Sequence, residues 1–143
     1  MSQLEPYLFF DGNCAEAMRF YEKALGGKLE MMMKASEAPP EAATPCPEGK
    51  EVGDGVLHAC VMVEGRRLMA SDWMSPEPYP GINGVSISLA YPTVEEAKRK
   101  FDALAAGGKV IMPLGKTFWI ESFGMLTDKY GANWMVNGGK PAH

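Results

Sequence analysis

Apolar and polar positions alternate along the chain in two registers, one of helical period and one of strand period. Tyr7 to Phe10 form an apolar run halted by Asp11-Gly12-Asn13, the pattern of a short strand closed by turn formers. Cys14 to Leu25 then repeats apolar residues at helical spacing, with Ala17, Phe20, Tyr21, Ala24 and Leu25 on one face and Asn13 as N-cap. Gly26-Gly27 ends that helix, and Leu29 to Lys34 predicts a second strand. Ser36 to Gly55, with Pro39, Pro40, Pro45 and Pro47, predicts a long loop. Val56 to Val63 and Arg67 to Ser71 predict a hairpin turning at Glu64-Gly65-Arg66, before a Pro- and Gly-rich linker from Trp73 to Gly84.

The second half repeats this order. Val85 to Tyr91 alternates as a strand, and Thr93 with Glu96 forms the capping-box signature of a helix running to about Ala106. Lys109 to Met112, Ser122 to Thr127 and Asn133 to Asn137 predict three further strands, the last two joined by a turn at Asp128 to Gly131. The halves also match residue by residue. Ala17, Arg19 and Tyr21 correspond to Ala97, Arg99 and Phe101 at an offset of 80, and Gly26-Gly27-Lys28 to Gly107-Gly108-Lys109 at 81. The chain therefore reads as an α+β protein of two βαβββ modules. Residues 1–72 form the first, 73–84 the linker, 85–138 the second and 139–143 a tail.

Composition narrows the classes of function. With 143 residues, 46% apolar and 22% charged, the chain has the balance of a globular protein. A net charge of −4 lacks the basic footprint of a nucleic-acid binder. No apolar run reaches the roughly 18 residues that span a bilayer, and the N-terminus lacks the basic start of a signal peptide. Cys14, Cys46 and Cys60 are odd in number and widely spaced, which points to a reducing cytoplasm rather than a disulfide framework or zinc knuckle. Eleven methionines, three of them consecutive at Met31 to Met33, suit an adaptable interior or cavity wall. No strand is followed by the Gly-x-Gly-x-x-Gly spacing of a dinucleotide site.

The segments YLFFDGNCAEAMRFYEKALGG, LHACVMVEGRRLMASD and TFWIESFGMLTDKYGANWMVN resemble the vicinal oxygen chelate superfamily of glyoxalases, bleomycin-resistance proteins and extradiol dioxygenases. The resemblance is to its PhnB-like branch, sometimes labelled 3-demethylubiquinone methyltransferase. It implies strands curling into an open cup, a homodimer, and in many members a divalent metal held by four side chains. Carried over, those ligand positions fall on Pro6 and Ser86, each 15 residues before the helix aromatic, and near Asp72 and Met135. Of these only Asp72 suits a hard cation, so neither metal nor other cofactor is expected. The absence of a glycine-rich strand-to-helix turn also argues against the methyltransferase label.

His58 is the only histidine besides the C-terminal His143, and as an acid/base group on an otherwise apolar strand it is the candidate catalytic residue. Cys14, at a helix N-terminus, is a candidate reactive thiol. Phe118 and Trp119 fit an aromatic loop closing over a ligand. The expected ligand-binding set is Leu8, His58, Cys60, Asp72, Ser86, Ser88, Phe118, Trp119 and Met135. The expected function is binding of a small organic molecule in a cup without the metal site, with no nucleic-acid or membrane partner. The alternative is an enzyme of lyase, isomerase or dioxygenase type using His58 and Asp72 or a relocated metal site.

Overall fold

The computed structural model describes residues 3–34, 36 and 55–141; all but the two ends of the proline-rich segment 36–55 lies outside the described residues. The chain divides into two units, residues 1–81 and 82–143. Each is a four-stranded mixed sheet carrying one helix.

The first unit runs β1 (Tyr7–Phe10), α1 (Cys14–Leu25), β2 (Lys28–Lys34), β3 (Val56–Val63) and β4 (Arg66–Asp72). Its sheet order is β1-β4-β3-β2, with β1 parallel to β4 and the other pairs antiparallel. The second unit runs β5 (Ile87–Tyr91), α2 (Val94–Ala105), β6 (Lys109–Gly115), β7 (Ile120–Thr127) and β8 (Asn133–Pro141), ordered β5-β8-β7-β6 with the same pairing senses. The duplicated βαβββ plan is therefore realised twice. Several strands extend past their predicted ends: β8 continues through Pro141 and takes in most of the predicted tail, because its pairing with β7 runs on to Ile120.

Each helix covers one sheet face. In α1 the buried residues are Cys14, Ala17, Met18, Tyr21 and Leu25, a stripe of helical period. It meets Phe10, whose ring lies 6.2 Å from that of Tyr21, and Ala59, Val61, Leu68 and Ala70, all buried. In the second unit Ala97, Phe101 and Leu104 of α2 are buried, as are Leu126, Trp134 and Val136 of the sheet.

The repeated Gly-Gly-Lys has a two-part cause. Gly26 and Gly107 take left-handed φ values of 66° and 76° after the helix, a conformation costly for other residues. Gly27 and Gly108 lie against the backbone of the next strand: a Cβ on Gly27 would stand 2.5 Å from the Met62 carbonyl, and one on Gly108 would collide with that of Thr127. The first glycine ends the helix and the second lets the strand pack.

The two helix starts differ. Thr93 Oγ1 accepts from the Glu96 N–H at 3.1 Å, as its sequence predicts. Asn13 makes no side-chain cap. Its place is taken from a distance by Asp72, at the end of β4, whose Oδ1 accepts from the Cys14 N–H at 2.9 Å and whose Oδ2 accepts from the Val56 N–H at 2.8 Å. A buried charged acceptor serving two N–H groups contributes about 1.5–3 kcal/mol per bond. Asp72→Ala is expected to destabilise the protein by about 3 kcal/mol or more, read as a lower urea midpoint with unchanged slope.

Candidate functional site

The face of each sheet away from its helix carries the candidate chemistry. Strand period two decides which residues stand there. In β1, Tyr7 and Phe9 are 39% and 45% exposed while Leu8 and Phe10 are buried. Leu8, expected to line a ligand site, belongs to the core beneath α1. Four apolar residues in a row carry no alternation, so their phase was not readable from sequence.

On the open face of the first unit, Tyr7 lies in register with Met69, Met69 with Cys60, and Cys60 with Met31, one row crossing all four strands. The neighbouring row holds Phe9 opposite Ser71, and His58 opposite Met33. Tyr7 Oη and His58 Nδ1 are 3.3 Å apart, with ring centroids 5.7 Å apart. The aromatic chain continues through Phe9, 5.2 Å from Tyr7, to Trp73 at 5.6 Å and Tyr79 at 6.1 Å. Backbone and side-chain bonds hold that chain in place: the Trp73 N–H donates to the Phe10 carbonyl, its indole N–H to the Glu77 carbonyl, and Tyr79 O–H to the Phe9 carbonyl. Tyr7, Phe9, Trp73 and Tyr79 were missed in the sequence; the aromatic residues on either side of Leu8 were the available signal.

At the rim of the same face Glu5 accepts from the Arg67 backbone N–H at 2.7 Å and pairs with its guanidinium at 3.0 Å, while Gln3 accepts a further guanidinium bond. The Arg67 backbone N–H above all holds the Glu5 carboxyl below the usual carboxylate range; desolvation opposes it, and the Arg67 side chain adds a lesser lowering effect.

Asp72 and His58 do not come together. Leu68, Ala70 and Asp72 share the helix side of β4, where both Asp72 oxygens bind backbone N–H groups, whereas His58 stands on the open face with Tyr7. The candidate reactive thiol of Cys14 is not activated. Burial, and secondarily the Asp72 charge, push the Cys14 thiol up to about 12, overriding the helix N-terminus.

In the second unit Ile87, Leu89 and Tyr91 alternate with the more exposed Ser88 and Ala90, and Ile87 pairs with buried Trp134. Ser88 pairs with Met135 on the open face, where the Asn137 amide donates to Ser88 Oγ at 3.3 Å. Ser86 precedes β5 and shares the phase of Ser88. Trp119 stacks edge-on with Phe118 at 4.9 Å and Phe123 at 5.3 Å, on a tight turn where Thr117 Oγ1 accepts from the Ile120 N–H. Phe118 is 83% exposed. Phe123 and Asn137 join this group without having been foreseen. Asp128, at the predicted turn, accepts from the Tyr130 and Ala132 N–H groups and from the Trp134 indole.

The four carried-over ligand positions do not fit a hard divalent cation. Buried Phe10 lies eleven residues before Tyr21, but buried Tyr91 lies ten before Phe101, so the first turn is one residue longer. Counting back from Tyr21 therefore reaches Pro6, in phase with Leu8, instead of the open face. Glu5 there is engaged by Arg67, and Asp72 by backbone N–H groups. Ser86 and Met135 offer a hydroxyl and a thioether, weak donors for such an ion. Among the described residues no three His, Cys, Asp or Glu side chains gather to hold a metal.

A family model for the glyoxalase/bleomycin resistance protein/dioxygenase superfamily matches residues 3–136, and the chain belongs to that superfamily. It is similar to protein YjdN of Escherichia coli K12, at 41% identity over 138 residues spanning 94% of this chain and 93% of that protein. The crystal structure of protein PA1353 from Pseudomonas aeruginosa matches with a TM-score of 0.86 and 47% identity, over 97% of this chain and 98% of that one. The PhnB protein of Bacillus cereus, with the 3-demethylubiquinone-9 3-methyltransferase label, matches with a TM-score of 0.76 and 27% identity, over 96% and 100% of the chains.

The state of Cys14 is directly testable. Iodoacetamide at pH 8 is expected to leave Cys14 unmodified in native protein and to alkylate it fully in denaturant, as read by peptide mass spectrometry.

Proposed function

We propose that this member of the glyoxalase/bleomycin resistance protein/dioxygenase superfamily binds a small, partly apolar organic molecule against the open face of its first sheet. The observation that carries this reading is the Tyr7–His58 pair, 3.3 Å apart, set among Phe9, Trp73 and methionine side chains on a half-exposed surface. Rings and thioethers supply apolar contact, and a few polar atoms fix orientation, the usual division of labour in a ligand site. With Tyr7 O–H donating to Nδ1, the imidazole carries its proton on Nε2, which then donates to an acceptor atom of the ligand. The ligand's oxygens are recognised by hydrogen bonding, with Glu5 held by Arg67 and Asp72 by backbone N–H groups.

The exposed Val110, Ile111 and Met112 on edge strand β6 support pairing of two copies of the chain. No helix among the described residues is long and apolar enough to cross a membrane, and the free thiols Cys14 and Cys60 support a reducing cytoplasmic setting.

Screening a small-molecule library by protein-observed 1H–15N NMR is expected to yield binders that shift the amide signals of β1 and β3. Tyr7→Phe and His58→Phe should each weaken them by about tenfold, the loss of one hydrogen bond from the chain that runs from Tyr7 through His58 to the ligand. Binders that leave those signals unmoved and ignore both substitutions would refute the assignment. Sedimentation equilibrium at micromolar concentration is expected to give a dimer, and Ile111→Lys to shift it toward monomer.

A further inference from the structure

The same sheet holds a second arrangement, built of sulfur. Met69 on β4 is the direct partner of Cys60 on β3, and Cys60 of Met31 on β2. Opposed residues share a face, with Cα atoms roughly 5 Å apart, so a thioether, a thiol and a second thioether stand side by side on three adjacent strands. Cys60 is buried, whereas Met31 at 39% exposure leaves the row open to solvent from the β2 edge. Next along the strands, His58 faces Met33, which adds an imidazole and a fourth sulfur.

We propose that Met31, Cys60 and Met69 form a binding site for a soft closed-shell monovalent cation, Cu(I) or its redox-inert counterpart Ag(I), with His58 and Met33 at its border. Two neutral thioethers and one thiolate are the donor type that selects such ions over magnesium, calcium or manganese. The Cys60 thiolate offsets the charge of a monovalent ion, and the softness of the three sulfurs, not the net charge of a face where Glu5, Glu30 and Arg67 also act on Cys60, selects that ion. On binding, an S–metal bond forms at Cys60 and its S–H bond breaks, with the proton passing to buffer; no electrons are exchanged. The Arg67 guanidinium on β4 is already neutralised by Glu5.

This inference goes beyond the organic-ligand reading and fails separately from it, since it rests on Met31, Cys60 and Met69 and not on Tyr7. The test uses the full chain carrying Cys46→Ser, because that cysteine lies outside the described residues and would bind soft metals on its own. Ag(I) is titrated in chloride-free buffer by native mass spectrometry and calorimetry, and Cu(I) anaerobically against a chromophoric chelator. The expected result is one cation per chain, with Cys60 protected from alkylation. Met31→Leu with Met69→Leu, swaps that conserve volume, should lower affinity at least about tenfold while the metal-free thermal midpoint holds within a few degrees. Cys60→Ala should abolish binding. Affinity indifferent to the methionine pair, or a cation retained in Cys60→Ala, would overturn the proposal, and the single methionine variants decide the matter if the double variant does not fold.

Discussion

The carboxylate of Asp72 ties three separated parts of the first unit together. It stands at the end of β4, and its oxygens take the first N–H of α1 and the first N–H of β3. A charge this deeply buried is stable only when its lone pairs are used, and the two N–H groups would be equally costly without it. The arrangement therefore sets how α1 sits over the sheet. Burial keeps the adjacent Cys14 a neutral thiol, and the Asp72 charge beside it adds to that effect.

With the helix anchored on one face, period two leaves the other face to function. Odd residues of β1 and even residues of β3 arrive there together, so Tyr7 meets His58 although 51 residues separate them. The second unit uses the same plan with different residues, and its open face holds Ser88, Asn137 and Met135 around a turn carrying Trp119. The duplication preserved the backbone scheme, including the glycine pair after each helix, while the chemistry on the two open faces diverged.

That divergence explains why counting along the family pattern fails in the first half. A β1–α1 turn one residue longer than its counterpart moves every earlier position to the opposite face. Pro6 is reached by the count but belongs to the helix side, as does Asp72 at the end of β4, and the face itself offers Tyr7, Ser71 and sulfur. In the second half, where the turn is shorter, Ser86 and Met135 fall in the expected phase.

The order of elements, both helices, the hairpin and the duplicated plan were determined by the sequence alone, because periodicity, glycine pairs and turn residues act locally. His58, Ser88, Trp119 and Met135 were legible as candidates for the same reason: each is a polar, aromatic or soft residue in a strand or turn with a clear pattern. Tertiary structure alone decided the rest. YLFF has no alternation from which to read its phase, so only packing against α1 could assign Leu8 to the core and Tyr7 to the open face. The Asn13 cap looked sufficient locally, and only the fold could supply Asp72 from 58 residues away and bury Cys14, which silences its thiol. The row of Met31, Cys60 and Met69 likewise exists only through strand register, which depends on long-range pairing that a local reading of sequence does not contain.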